Sequence, residues 1–340
     1  MVLAVLLSVC ISSCGDGSDD ETIVVTEEDY VNAVYGYFNS RYFNPSLVRA
    51  PDSGETVRAY VNSYRKVEAD IYTTYFGYQS LQNIQQHLST AETAVVREYD
   101  PGILYVSFDK FVTGTADRLI VQIQGYIQTG GLNALIVDLR ANTGGSPLEA
   151  ARFLEYLSGS QTDGTMLYKA IYGNGLEVTW SKGALSSTCA SENTFDSSNT
   201  FVLTSGLSGS AAEIVVAGLV AFNEAVQAGS TTFGKNRLVQ FLGIERGDGF
   251  EMTVARVIHA DGVDREGIGL VPTAETDDPF AYVMNSLGGG PVADPLQTDM
   301  NLSDSAMEFL HEMAYWRNVV LNADYSTKPY YIQERVKGKE

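Results

Sequence analysis

Three apolar runs, Ile103–Phe108, Ala134–Leu139 and Phe201–Thr204, constrain the fold of this chain more than any other feature. They are near-continuous rather than alternating with polar residues, which is the pattern of strands covered on both faces. Each run is followed by a turn and then a helical pattern. Leu119, Ile120, Ile123 and Ile127 mark the helix after the first run. Ser146-Pro147-Leu148-Glu149 opens the second helix, combining a capping box with proline at the first helical position, and that helix runs through Leu154 and Leu157 to a stop near Gly159. Ser210 opens the third. Repeated strand–helix units predict an α/β core with a mostly parallel sheet, to which Phe250–Ile258 adds a late strand.

The flanks differ in texture. Residues 26–98 read as a small helical appendage rich in aromatics: Thr26-Glu27-Glu28-Asp29 starts a helix, and Tyr30, Val34, Tyr37 and Phe38 share one face. The core is expected over 99–285. Beyond it, residues 286–340 hold the linker Gly288-Gly289-Gly290-Pro291 and a helix near Ser305–Val319. At the other end, residues 1–14 read as an export signal, because the apolar run Val2–Ile11 is too short to span a membrane. Ile11-Ser12-Ser13-Cys14 resembles a bacterial lipobox, which makes Cys14 the expected lipidation site, and residues 15–25 an acidic tether resembling those of Bacteroidetes surface lipoproteins. The expected location is the bacterial cell envelope, lipid-anchored to the outer membrane on its periplasmic or surface side. The membrane is then met only through this anchor.

Charge excludes one class of partner. With 22 Lys and Arg against 42 Asp and Glu, the net charge of −20 repels phosphate backbones, so no nucleic acid is expected. Cys10, Cys14 and Cys189 have no zinc-site spacing, and nothing in the sequence calls for a metal or an organic cofactor.

Three blocks in order carry the chemistry: Asp138-Leu139-Arg140-Ala141-Asn142-Thr143-Gly144-Gly145 at the end of a buried strand, Ser208-Gly209-Ser210-Ala211-Ala212-Glu213 at the start of a helix, and Thr232-Phe233-Gly234-Lys235. A fourth runs from Thr253-Val254-Ala255-Arg256 through Asp261-Gly262 to Gly267-Ile268-Gly269-Leu270-Val271-Pro272. Taken singly these are ordinary. Ser-x-x-Glu is a helix cap, the first block is a glycine turn, and most lysines are solvated charges.

As an ordered set, covering roughly Gly102–Pro279, they resemble the C-terminal processing, or tail-specific, serine peptidases. That resemblance implies a core like those of ClpP and the crotonases, Ser210 as nucleophile and Lys235 as general base, spaced as in that family. It also implies an oxyanion hole from the Gly144 and Ala211 amides, with Glu213 and Gln240 in supporting roles. The substrate is then a polypeptide, of exported proteins or peptides, cleaved through an acyl-enzyme. For Lys235 to act as a base it must be a neutral amine, which calls for desolvation. None of the three histidines, His87, His259 and His311, is among the residues that carry these blocks.

Two departures stand out. The stretch between Tyr75 and Gly102 is too short for the PDZ domain many members carry, and Gln240 lies one residue beyond the family's glutamine position. The alternative reading is a catalytically silent surface lipoprotein of the same fold that binds a peptide, glycan or hydrophobic ligand.

Overall fold

The computed structural model describes residues 5–7, 25–66, 70–158, 164–183 and 199–298. Cys14, nearly all of the tether, Cys189 and the expected helix at 305–319 with His311 lie outside the described residues.

A short strand, β1 (Val5–Leu7), precedes helices α1 (Glu27–Arg41) and α2 (Val57–Ser63), strand β2 (Thr74–Phe76) and helix α3 (Tyr78–Ser89). Helix α1 begins where the sequence predicts. Thr26 Oγ1 accepts from Asp29 N–H, and the Asp29 carboxylate accepts from Thr26 N–H at 2.8 Å, so two otherwise orphaned groups satisfy each other. Next come β3 (Ala94–Tyr99), β4 (Ile103–Phe108), α4 (Thr115–Thr129), β5 (Ala134–Asp138) and α5 (Pro147–Leu157). They are followed by β6 (Met166–Tyr172), β7 (Glu177–Ser181), β8 (Thr200–Thr204), α6 (Ala211–Asn223) and β9 (Val226–Gly229). The series closes with β10 (Arg237–Ile244), β11 (Gly249–His259), β12 (Ala274–Glu275), α7 (Pro279–Ser286) and α8 (Pro295–Thr298).

The three apolar runs are the centre of the first sheet, whose order is β12-β9-β8-β5-β4-β3 and whose strands are parallel except for β3 at the edge. Every residue of β4, β5 and β8 is buried, as unbroken apolar runs require. Helices α4, α5 and α6 cover one face, and α7 covers the other with Phe280, Val283 and Met284 against Ile103, Tyr105, Ile136 and Leu203. This sheet and its helices are the expected α/β core. Strand β3 belongs to it, although all of its residues but Tyr99 fall in the stretch expected as the helical appendage.

The second sheet is antiparallel, in the order β10-β11-β6-β7, with β1 parallel to β10 and β2 antiparallel to β11. Repeated strand–helix units do not predict it. Helix α6 lies between the sheets: its Ile214, Val215 and Leu219 share one core with Leu104 and Val106 of the first and with Leu167, Tyr168 and Val257 of the second. On the far side, α1 and α2 lay Val34, Phe38, Tyr60 and Val61 on Leu242, Phe250, Met252 and Val254. The appendage is thus built onto the second sheet, and contributes β2 to it.

Candidate active site

The turn after β5 is shaped by side chains that end the strand. Arg140 forks onto the buried Asp138 (Nη2–Oδ2 2.6 Å) and onto Asp294 (2.7 Å), while Tyr105 OH donates to Asp138 at 2.7 Å. Asn142, fully buried, then bridges two strand ends. Its Nδ2 donates to Phe108 O at 3.0 Å and its Oδ1 accepts from Gly144 N–H at 2.9 Å. Both following glycines have positive φ, +106° at Gly144 and +124° at Gly145. A Cβ on Gly144 would stand 2.7 Å from Gly209 O and from Ser210 Cβ, so only glycine lets this turn reach the second block.

Ser210 sits at the other side of that contact with φ +57° and ψ −119°, a conformation an L-residue adopts only when its surroundings impose it. The surroundings are specific. Gly209 N–H donates to Asn142 O (3.2 Å), Phe233 N–H to Ser208 O (2.8 Å), and Ser208 Oγ to Leu139 O (2.8 Å). Ser210 N–H donates to the Glu213 carboxylate at 2.9 Å. This turn aims Ser210 off the start of α6, where Ala211 N–H, the first of the helix, has no partner within it.

Glu213 ties the blocks together. It is fully buried, yet its partners are donors rather than a cation. Oε1 accepts from Thr232 Oγ1 (2.6 Å) and Gly234 N–H (2.7 Å), and Oε2 from Ser210 N–H and Lys235 N–H (2.8 Å). Thr232 Oγ1 in turn accepts from Leu270 N–H at 2.7 Å, which brings in the fourth block. Burial pushes the Glu213 carboxyl above the ordinary carboxylate range, and the four hydrogen bonds oppose that shift.

Ser210, Ala211 and Lys235 line one pocket of about 70 Å³ together with Gly145, Pro147, Ile214, Arg237, Leu238, Val239 and Val257. Lys235 is half-buried rather than enclosed, and its Nζ lies 4.7 Å from the centroid of the Tyr72 ring. Two expected residues are placed otherwise. The Gly144 N–H is committed to Asn142, and Gly145 is the glycine that lines the pocket. Gln240 points away, its Oε1 accepting from Tyr37 OH at 2.7 Å; a bulge between Leu238 and Val239 resets the alternation of β10. His259 is buried at the end of β11 and does not line the pocket. Among the described residues no group of His, Cys, Asp or Glu could hold a metal ion.

Sequence reasoning missed Asn142, Tyr72 and Glu266. Asn142 carried a signal, since asparagine favours turns where its side chain can bond nearby backbone. Tyr72 and Glu266 carried none, being brought to the site only by tertiary structure.

Comparison with known proteins agrees with this architecture. The family described as Peptidase family S41 matches residues 102–276. No curated protein matches the chain. Among solved structures, a lipoprotein from Streptococcus agalactiae is similar over 80% of this chain and 99% of its own at 14% identity, with a TM-score of 0.61. The photosystem II D1 C-terminal processing protease is similar over 75% of this chain and 94% of its own at 15% identity, with a TM-score of 0.54. At these identities the likeness is one of fold.

Proposed function

Because the chain belongs to peptidase family S41, we propose that it is a serine-type peptidase in which Ser210 attacks a peptide carbonyl and Lys235 takes its proton. The observation that carries this reading is the double grip of Glu213 Oε2 on the Ser210 and Lys235 amides, beside a pocket both residues line. A capping interaction alone would need only the first of these bonds.

The chemistry follows from the groups at hand. As Ser210 Oγ bonds the carbonyl carbon, its proton passes to the Lys235 amine and negative charge gathers on the carbonyl oxygen. The Ala211 N–H and the Gly145 N–H, in place of that of Gly144, are the donors for this oxyanion. The C–N bond then breaks, with the ammonium returning its proton to the leaving amine, and water attacks the ester with Lys235 again as base. Each oxyanion donor is worth about 100- to 1,000-fold in rate. The substrate is a polypeptide, and the apolar walls formed by Ile214, Leu238 and Val257 suit an apolar side chain beside the scissile bond.

The location belongs to the same proposal: Cys14 as the lipidated residue and the bacterial cell envelope as the compartment, with contact to the outer membrane through that anchor. Among the described residues no helix is long and apolar enough to cross a membrane.

An active-site-directed serine acylating probe followed by mass spectrometry tests the reading. Labelling is expected at Ser210, and should be lost in Ser210→Ala and in Lys235→Ala while both remain folded. Peptide hydrolysis undiminished in either variant would refute it. Metabolic labelling with a fatty-acid probe, lost in Cys14→Ala, tests the anchor.

A further inference from the structure

The side chain of Lys235 has a neighbour from outside the stretch that matches the family. Tyr72 lies between α2 and β2, and its backbone is held by Asp70. Asp70 Oδ1 accepts from the N–H groups of Tyr72 and Thr73 (3.1 Å each) and from Thr253 Oγ1 (2.8 Å); Oδ2 accepts from Tyr42 OH (2.8 Å) and Thr73 Oγ1 (2.6 Å). The far end of the ring is held as well. Tyr72 OH donates to Glu266 Oε1 at 2.7 Å, and Glu266 Oε2 accepts from the N–H of Asn236, next to Lys235, at 2.7 Å. The ring, itself 7% exposed, is therefore fixed at both ends with its face toward Lys235 Nζ.

An aromatic face attracts an ammonium and does little for a neutral amine. Val239, four residues after Lys235, is a pocket wall whose side chain offers no hydrogen bond, and Gln240 is engaged with Tyr37. The charged groups around this corner are Glu251 on β11, whose carboxyl feels the Lys235 charge, with Arg65 and Asp70 beside it, and Glu213, Glu266 and Arg237 around Tyr72.

We propose that Tyr72, supplied by the N-terminal appendage, is the positioning residue for Lys235: its ring face aims the amine and holds the ammonium formed when the Ser210 proton arrives. The inference rests on the Ser210/Lys235 reading. The ring acts only on the protonated form, so its effect is realised in the transition state and after it rather than in substrate binding.

The test is to replace Tyr72 by phenylalanine and then by phenylalanines of increasing ring fluorination, which keep the shape and progressively weaken the cation-binding face. Turnover of a peptide substrate is read against pH, with thermal melting to verify the fold. Along the fluorinated series kcat should fall by a total of about 5- to 10-fold, the size of a partly desolvated cation–π contact, with KM within about twofold. The acid limb of the kcat profile should move to lower pH by about half a unit to one unit, because an ammonium with less support gives up its proton more readily. Phenylalanine itself should keep the limb of the native protein. A limb and a kcat that stay fixed across the series, while Ser210→Ala and Lys235→Ala abolish turnover, overturn the role of Tyr72 and leave the Ser/Lys reading standing. Turnover that survives Ser210→Ala overturns both.

Discussion

Glu213→Gln isolates what the buried carboxylate does for the site. The native group accepts four hydrogen bonds, two on each oxygen. Glutamine keeps one acceptor oxygen and replaces the other with an N–H₂ group. If the oxygen stays with Thr232 and Gly234, the new amide points its hydrogens at the N–H groups of Ser210 and Lys235. Two hydrogen bonds to a charged acceptor, each worth about 1.5–3 kcal/mol, are then lost and two buried donors are left unmet. Against this, the neutral side chain escapes the cost of burying a charge, which is what pushes the native carboxyl upward. A net loss of about 2–4 kcal/mol follows, enough to lower Tm by roughly 5–10 °C in a domain of this size. Activity should fall further than stability. Ser210 keeps its strained φ of +57° only under these constraints, and a displacement of about 1 Å at a reacting atom costs on the order of 100-fold. The assay pairs thermal melting with kcat on a peptide substrate, measured well below the variant's Tm so that unfolding does not enter. A variant that melts with the native protein and turns over at the native rate would falsify the idea that one carboxylate holds nucleophile and base in register.

Gly145→Ala should cost about 2–4 kcal/mol and at least 100-fold in turnover, because φ is +124° and the added Cβ runs into the Phe111 carbonyl; native-like urea midpoints would count against this geometry. Gln240→Ala should leave kcat/KM within about twofold of native while removing about 1 kcal/mol with the Tyr37 contact; a collapse of turnover would return Gln240 to the site. Burial holds His259 down to about 4 and lifts Glu266 to about 7. The contribution of His259 is whole above 6.5 and is lost as pH falls toward 4, whereas that of Glu266 is whole below 4.5 and is lost as pH rises toward 7. Each amounts to about 3 kcal/mol, so they oppose between pH 4.5 and 6.5. His259→Gln should therefore gain stability on acidification and Glu266→Gln should lose it. Melting curves at both pH values decide, and identical slopes in the two variants would refute the assignment.

Half of the architecture was legible because of where water cannot go. Strands β4, β5 and β8 are covered on both faces, so their residues are apolar without interruption and need no knowledge of partners. The second sheet was illegible for the opposite reason. Its strands β6, β7 and β10 are partly exposed, and bulges at Met166/Tyr168 and Leu238/Val239 break the alternation that would announce them. The same bulge turns Gln240 toward Tyr37, an outcome residue counting does not anticipate. Choosing between the amides of Gly144 and Gly145 depends on the Asn142 side chain, whose reach to Phe108 O is a tertiary fact. Tyr72 is the extreme case, since nothing near it in sequence hints at a contact with Lys235.

The pairing of Thr74–Phe76 with β11 limits where this protein can be cut. A polypeptide trimmed to residues 102–276 would keep every block of the family signature. It would also bare Leu242, Phe250 and Met252 to solvent and strip β11 of a strand, inviting self-association through the raw edge. The unit that folds is therefore larger than the unit that is recognised, and a proteolytic nick between α2 and β2 would be expected to silence turnover while leaving Ser210 and Lys235 in one fragment.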